Sequence, residues 1–583
     1  MRPAVSSEPV TAESAGAPER DRTPARDERL RLARRIDWRF LLPSPVLGRT
    51  AVVAPDGDDD LRAALGEGSA AAAAIEVGGG RDGSAGYDTV VLSGRPTRDR
   101  LAAAAQAVRT DGQLIVELES VLARRDRGAA SPTGSVVRIE RALSAGGFDV
   151  RTWWAWPTIG RATAYAAFDD RLAVEALVRQ RLGGRPAARL ATVVGRLARG
   201  SILPSVVPGA VVVARRGSAR PTLVERRLGV TRADAASGAR GCLLLTPRYR
   251  ASAHVVGLAL DPAGRIDRVA KVARSADDDS LDHEAAVLRA LARAWTAAEP
   301  VADAADAAGT APVLIDAPGL GVEVGEEPWP VLVEGGIDGA RLGPALVRAD
   351  RAGACAAVER WLHTLPVASR GVEEPSDGGI VGRVEAALGA IERLAERSAA
   401  GDRLRALAGR TRPVVAHLVG VSLPRVFEHG DAAHPNLIRL DDGRIGAVDW
   451  ERGEPDGLPL HDLTTALAYL ASAARGATRP ADQAVAFRDA LTGSDPWAAE
   501  ALDREARRVG VSIDHRPALV VVAWARSAGW LAEHLGRPSS TSGTGNGNDG
   551  NDDGDHDVDL GAWLVADRSV ALWSVALDLA EAA

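Results

Sequence analysis

The sequence predicts two structural units in series: an α/β N-terminal domain and, after it, a mixed α+β domain. Three observations predict this. Between residues 36 and 215, short β-branched runs alternate with an alanine-rich helical stretch, the pattern of parallel strands joined through helices. Beyond residue 250, two hairpin patterns with the turns Asp261-Pro262-Ala263-Gly264 and Asp441-Asp442-Gly443 are followed by amphipathic helical stretches. With 583 residues, 46% hydrophobic and 26% charged, the chain has the make-up of a globular protein and is too long for one core.

Composition narrows the function classes. A net charge of −7 gives no electrostatic reason to expect a nucleic-acid partner. Two cysteines, Cys242 and Cys355, cannot build a disulfide framework or a zinc site by themselves, so a reducing compartment is expected. No uncharged apolar run reaches membrane-spanning length and the N-terminus lacks a signal-peptide core, so the expected location is cytoplasmic, with no membrane partner. Of the 71 Lys and Arg residues, Lys271 is the single lysine. A compact ammonium on a flexible stem suits a narrow phosphate site that a planar guanidinium does not.

Residues 1–35 are rich in Ala, Pro, Glu, Ser and Arg, which predicts a disordered tail. In residues 36–215, Thr50–Ala54, Ala73–Val77, Asp88–Leu92 and Gln113–Leu118 predict strands, and Leu101–Val108 predicts the helix between the last two. The segments YDTVVLSG, RTDGQLIVELE and LSAGGFDVRTWWAWP resemble the second half of a class I S-adenosylmethionine (SAM)-dependent methyltransferase, a Rossmann-like fold. That resemblance implies that Glu76, at the end of the second strand, binds the cofactor ribose. The first strand, however, runs into AVVAPDGDDDLRAAL, where Gly57 is the lone glycine and three aspartates would face the cofactor. The expectation is therefore a methyltransferase-like domain with lost or altered SAM binding. Trp153, Trp154 and Trp156 read as core or interface side chains, with stacking on a ligand as the alternative.

Residues 183–235, rich in Arg, Gly and Pro, mark a boundary, and 216–235 are read as a linker. Val255–Leu260 and Asp267–Val272 then flank a turn, and Lys271 lies in the second of these strands. In the helix that follows, Leu281, Leu288 and Leu291 share one face with Glu284. A carboxylate on a buried face needs a partner, and Lys271 is the only lysine available.

The stretch with the most chemistry is Val426–Glu451, VFEHGDAAHPNLIRLDDGRIGAVDWE. Its hairpin brings Asn436 and Asp449 together as cross-strand neighbours. Two oxygen ligands at one point suit a hard metal ion. Asp431 lies five residues before Asn436 on an irregular segment, which places a base next to that metal.

His429, Gly430, Asp431, Asn436, Asp449, Trp450 and Glu451 resemble the catalytic loop and metal-binding segment of the aminoglycoside phosphotransferase and choline kinase families, relatives of the protein kinases. The resemblance implies a bilobal protein-kinase-like fold. It implies that Asp431 accepts the proton of the substrate hydroxyl, that Asn436 and Asp449 hold Mg2+, and that Lys271, paired with Glu284, meets the ATP phosphates. Ser252 stands where a phosphate-covering turn is expected, although TPRYRASAHVVG lacks the usual glycines. Val333, Glu334 and Gly335 fall at the hinge where adenine docks against backbone groups. His363 reads as a capping or core histidine, and Asp462 as a brace for the catalytic loop. The expected lobes are residues 236–340 and 341–583, the latter carrying a disordered insertion at 538–557 whose aspartates fit no calcium-loop register.

The implied function is Mg-ATP-dependent transfer of the γ-phosphate to a hydroxyl of a small molecule such as an aminoglycoside, a sugar or choline. Asp456 is a candidate for attracting an amine. The alternatives are a nucleotide-binding scaffold without turnover and a SAM-dependent methyltransferase fused to a kinase-like domain.

Overall fold

A computed structural model describes residues 32–536 and 559–583, apart from 54–58, 69–70, 75–85, 95, 120–134, 183–193, 195–206, 249–253, 277, 298–309, 318–328 and 373–378. Of the tail expected to be disordered at 1–35, residues 1–31 lie outside the described residues, as do Glu76, Gly57, Ser252 and the 538–557 insertion. Residues 32–35 are helical, with Leu32 buried and Arg35 paired with Glu117, so the order of the chain begins earlier than its composition indicated.

One twelve-stranded sheet runs through both halves of the chain. Its members are β1 (Arg49–Val53), β2 (Ala71–Ala74), β3 (Tyr87–Leu92), β4 (Val108–Glu119), β5 (Phe148–Trp156), β6 (Ala164–Ala167), β7 (Gly209–Arg216), β8 (Gly241–Leu245), β9 (His254–Leu260), β10 (Ile266–Ala273), β11 (Leu314–Asp316) and β12 (Val331–Gly335). They lie in the order β11-β12-β10-β9-β8-β6-β5-β7-β4-β3-β1-β2. The run β2-β1-β3-β4 is parallel. Every other pairing in the sheet is antiparallel. Helices α1 (Asp59–Gly68), α2 (Arg98–Ala107), α3 (Ser135–Ala145) and α4 (Arg171–Leu182) alternate with the early strands.

The apolar runs in these strands send successive side chains to opposite faces. Val52, Val91, Ile115 and Trp153 enter one core, and Ala51, Val53, Val90, Leu114 and Trp154 enter the other. The tryptophan cluster is thus largely core: Trp153 and Trp154 are buried on opposite faces, and Trp156 packs edge-on against Trp154 at 5.6 Å. The first of these cores continues without a break to Ala270, Val272, Val331 and Val333, so both halves of the chain share it.

The stretch read as a linker is a packed element instead. Residues 222–238 form α5 (Leu223–Leu228) and α6 (Arg232–Ser237), each opened by a threonine capping box and closed by a left-handed glycine. Leu223, Val224 and Leu228 are buried in the shared core. Arg, Gly and Pro signalled a boundary, but the apolar face of α5 at i, i+1 and i+5 outweighed that composition.

A second bond across the halves is ionic. Asp37, in a short 3-10 helix at Asp37–Leu41, meets Arg274 at the end of β10 through two contacts of 3.0 Å, and both side chains are buried.

Helix α7 (Ser280–Ala297) packs against the β10–β12 end of the sheet. The rest is mainly helical: α8 (Pro344–Ala349), α9 (Arg351–His363), α10 (Ile380–Ala395), α11 (Gly401–Ala416), α12 (His461–Arg475), α13 (Pro480–Thr492), α14 (Trp497–Val509), α15 (Arg516–Gly536), α16 (Leu560–Val565) and α17 (Arg568–Ala582). Their core includes Trp361, Trp450, Trp524 and Trp573. Two small sheets sit between these helices and α7: β13 (Ala340–Arg341) with β16 (Leu437–Arg439) and β17 (Ile445–Ala447), and β14 (Val367–Val372) with β15 (Ser422–Glu428) and β18 (Glu454–Gly457). The antiparallel strands β8–β12 with α7 on them, followed by a helical half, fit the kinase-like arrangement expected from the sequence. Among the described residues no helix is long and apolar enough to cross a membrane.

Candidate active site

The hairpin forms as its sequence predicts. β16 and β17 pair antiparallel, with Gly443 supplying φ +85° at the turn. At its open end Val448 N–H donates to the Asn436 carbonyl over 3.0 Å, which sets Asn436 opposite Val448, one residue short of the Asp449 that the sequence pattern predicts across from it. The Asn436 side-chain amide N–H donates to the Asp431 carbonyl over 3.2 Å, leaving its amide oxygen for another partner. Asp449 sits at φ +72°, a conformation costly for a residue with a Cβ and one that clusters at functional sites.

The loop carrying Asp431 is held from below. Asp462, on the first turn of α12, accepts from the backbone N–H groups of His429 (2.7 Å) and Gly430 (2.9 Å). Burial, aided by nearby Glu428 and opposed by those two N–H groups, pushes its carboxyl up to about 8. His429 is buried, and burial lowers its pKa. Its Nε2–H donates to the Val448 carbonyl at 3.0 Å while Nδ1 accepts from Asp431 N–H at 3.2 Å, an arrangement that requires the neutral ring. Gly430 has φ +81°, and a Cβ there would lie 2.3 Å from the Arg452 carbonyl oxygen. His363 is an exposed residue at the end of α9, 3.4 Å from Glu505, away from this loop.

Lys271 is the hub of the opposite wall. Its Nζ lies 2.5 Å from Glu284 Oε1, 3.1 Å from Asp449 Oδ1 and 3.9 Å from Glu334 Oε1. Glu284 Oε1 also accepts from Trp450 N–H at 2.8 Å, tying α7 to the segment after the hairpin. Burial alone would depress the ammonium, but Asp449, Glu284 and Glu334 together raise its pKa. Burial pushes the Glu334 carboxyl up to about 8 against the pull of Lys271, and raises Glu284 as well. Asp449, 42% exposed on the cleft, is held below the usual range: burial opposes this, and Lys271 outweighs it. The second carboxylate oxygens of Glu284 and Glu334 are buried without a partner.

The contacts form two groups, Lys271 with Glu284 and Asp449 on one side and Asp431 with Asn436 on the other, joined through Val448, whose N–H bonds Asn436 and whose carbonyl bonds His429. Of the hinge residues, Val333 points into the shared core, while Glu334 turns its side chain towards Lys271 and Gly335 ends the strand. Reading the hinge only for its backbone missed that carboxyl. The register explains it: Lys271 pairs with Leu332, and two residues further along β12 returns to the same face, a pairing that the sequence by itself does not give. Glu428 and Arg526, which brace the loop through contacts of 2.9 and 3.0 Å, lie 98 residues apart and have no local signature. Asp456 is exposed on β18 and does not line the cavity at Asp431, so the expected attraction of an amine by that residue is not supported by its position.

Residues 252–504 match the model of the Phosphotransferase enzyme family, APH, so this part of the chain is a phosphotransferase-family domain. No curated protein matches the chain. Among solved structures it is similar to an ethanolamine kinase of Plasmodium vivax (12% identity over 60% of this chain and 85% of that one, TM-score 0.35). It is also similar to an aminoglycoside phosphotransferase of Alicyclobacillus acidocaldarius (12%, 56% and 91%, TM-score 0.31) and to a choline kinase of Streptococcus pneumoniae (11%, 58% and 92%, TM-score 0.32).

Proposed function

We propose that the protein transfers the γ-phosphate of ATP to a hydroxyl of a small molecule, with Asp431 as the base. The observation that carries this reading is the convergence of Lys271 and Asp449, 178 residues apart, at 3.1 Å beside the Asp431 loop. Lys271, held by Glu284, offers an ammonium to phosphate oxygens. Asp431 takes the hydroxyl proton. Asp462, His429 and Gly430 keep the Asp431 backbone in place, since phosphoryl transfer depends more on positioning and charge than on covalent chemistry.

A carboxylate and an amide oxygen are donors of the kind Mg2+ takes, and the ion characteristically binds one or two protein oxygens with the rest supplied by phosphates and water. Asn436 and Asp449 fit that requirement. When bound, the ion would neutralise phosphate charge.

A thermal-shift titration with ATP, with and without magnesium, on wild type and Asp449→Ala tests the reading. Magnesium-dependent stabilisation in wild type that is lost in Asp449→Ala is expected. No stabilisation by ATP at all would overturn it. For residues 36–215 the methyltransferase-like reading remains a proposal supported by the parallel order β2-β1-β3-β4, and SAM in the same titration tests it.

A further inference from the structure

Beside Asp431 the helical half encloses a cavity of ≈ 170 Å³, lined among others by Arg452, Tyr469 of α12, Gln483 of α13, and Asp567 and Arg568 at the start of α17. Its charge is what distinguishes it. Two carboxylates line it, Asp431 and Asp567. Asp567 is already engaged: it caps α17, accepting from Ser569 N–H at 2.8 Å and from the Ser569 hydroxyl at 2.6 Å. Asp431 has to receive a proton during transfer. Of the acids outside the cavity, Glu428 is paired with Arg526 and Glu454 with both Arg383 and Arg526.

The cations are less occupied. Arg452 stacks 3.5 Å over the Trp530 ring and stands 3.8 Å from Asp431, with its Nε buried and unpartnered. Arg568 has no ion pair or hydrogen bond among the described residues. An ammonium-bearing acceptor would thus meet two guanidiniums and, among the described residues, only the base and the helix-capping Asp567 as carboxylates. An anionic one meets a free guanidinium fork suited to carboxylate or phosphate.

Resting on the phosphotransferase reading, we propose that the acceptor is a hydroxyl compound that also carries a carboxylate or phosphate group, with Arg568 holding that anion and Asp431 facing the reacting hydroxyl. The acceptor O–H gives its proton to the Asp431 carboxylate as its oxygen bonds to the γ-phosphorus of ATP. The bond from that phosphorus to the β-phosphate oxygen breaks, and ADP leaves with the electron pair.

The test is ADP release by the full-length protein with Mg-ATP and four sets of acceptors: sugar acids such as gluconate, sugar phosphates such as glucose 6-phosphate, neutral sugars, and amines such as choline and kanamycin. Turnover highest in an acidic set is expected, and the preferred set separates carboxylate from phosphate. Arg568→Glu should raise KM for that acceptor roughly tenfold or more with kcat little changed, the size of one charge-assisted hydrogen bond, and Arg568→Lys should recover part of the loss. Preference for amines or neutral sugars, no turnover in either acidic set, or an unchanged KM in Arg568→Glu overturns the proposal. Magnesium-ATP stabilisation measured on the same preparation tells these outcomes apart from failure of the phosphotransferase reading itself.

Discussion

Lys271 Nζ and Glu284 Oε1 lie 2.5 Å apart in a buried pair that joins β10 to α7, packed against the β10–β12 end of the sheet. Removing one partner of such a pair leaves an uncompensated charge, at a cost of about 3–5 kcal/mol. Glu284→Ala also removes the acceptor of Trp450 N–H. Urea denaturation should show a loss of that order, and ATP binding should weaken with it. Full stability in Glu284→Ala would mean that Lys271 is held by Asp449 and Glu334 alone.

The Asp37–Arg274 pair makes a separate prediction about architecture. It is buried on both sides and ties the segment before the first strand to the end of β10, three residues beyond Lys271. Asp37→Ala should destabilise the protein by about 3–5 kcal/mol. Because one core runs through both halves, the denaturation curve should remain a single transition with a lower midpoint. A curve split into two steps would show that the halves unfold independently.

Gly430 is the position where the backbone of the catalytic loop has no freedom to spare. Gly430→Ala adds a Cβ 2.3 Å from the Arg452 carbonyl oxygen at φ +81°, a conformation costing about 1–3 kcal/mol in its own right. Displacing the loop by about an ångström lowers turnover roughly a hundredfold. Steady-state phosphotransfer should therefore fall far more than ATP binding, which depends on the other wall of the cleft. Equal losses in both would point to general unfolding instead.

How much of this was legible in the sequence follows from the range of each interaction. The hairpin, its Asp-Gly turn and the Asp431–Asn436 spacing are local and could be read directly. The Lys271–Glu284 pair spans 13 residues and became readable because one lysine faced one carboxylate on an apolar helix face. The Glu428–Arg526 and Asp37–Arg274 pairs span 98 and 237 residues, and nothing nearby in the chain hints at them. The shared sheet was hidden for the same reason. Strand runs predict strands but not which neighbour each pairs with, and the pairing of β6 with β8 is what joins the halves.

The buried histidines and the buried carboxyls pull the pH dependence of stability in opposite directions. His461 accepts from Arg526 at Nδ1 over 3.2 Å, so its ring is neutral, and burial lowers its pKa from 6.5 to about 4 despite the nearby Glu428. Burial likewise lowers His254 to about 4. Between pH 6.5 and 4 these two histidines therefore bind more protons in the unfolded chain than in the folded one and lose stability as pH drops, while the raised carboxyls of Asp462 and Glu334 bind protons first in the folded chain and act in the opposite direction. Each histidine is worth roughly 3 kcal/mol once fully titrated. Glu428, held at about 2 because Arg526 and His461 outweigh its burial, adds a second loss only below its unfolded value of 4.5. In urea midpoints measured from pH 4 to 8, wild type should lose stability relative to His461→Gln as pH drops below 6.5, with a slope difference of up to about one proton of linkage. An undiminished slope in His461→Gln would require a charged His461 beside Arg526, contrary to the hydrogen bond between them.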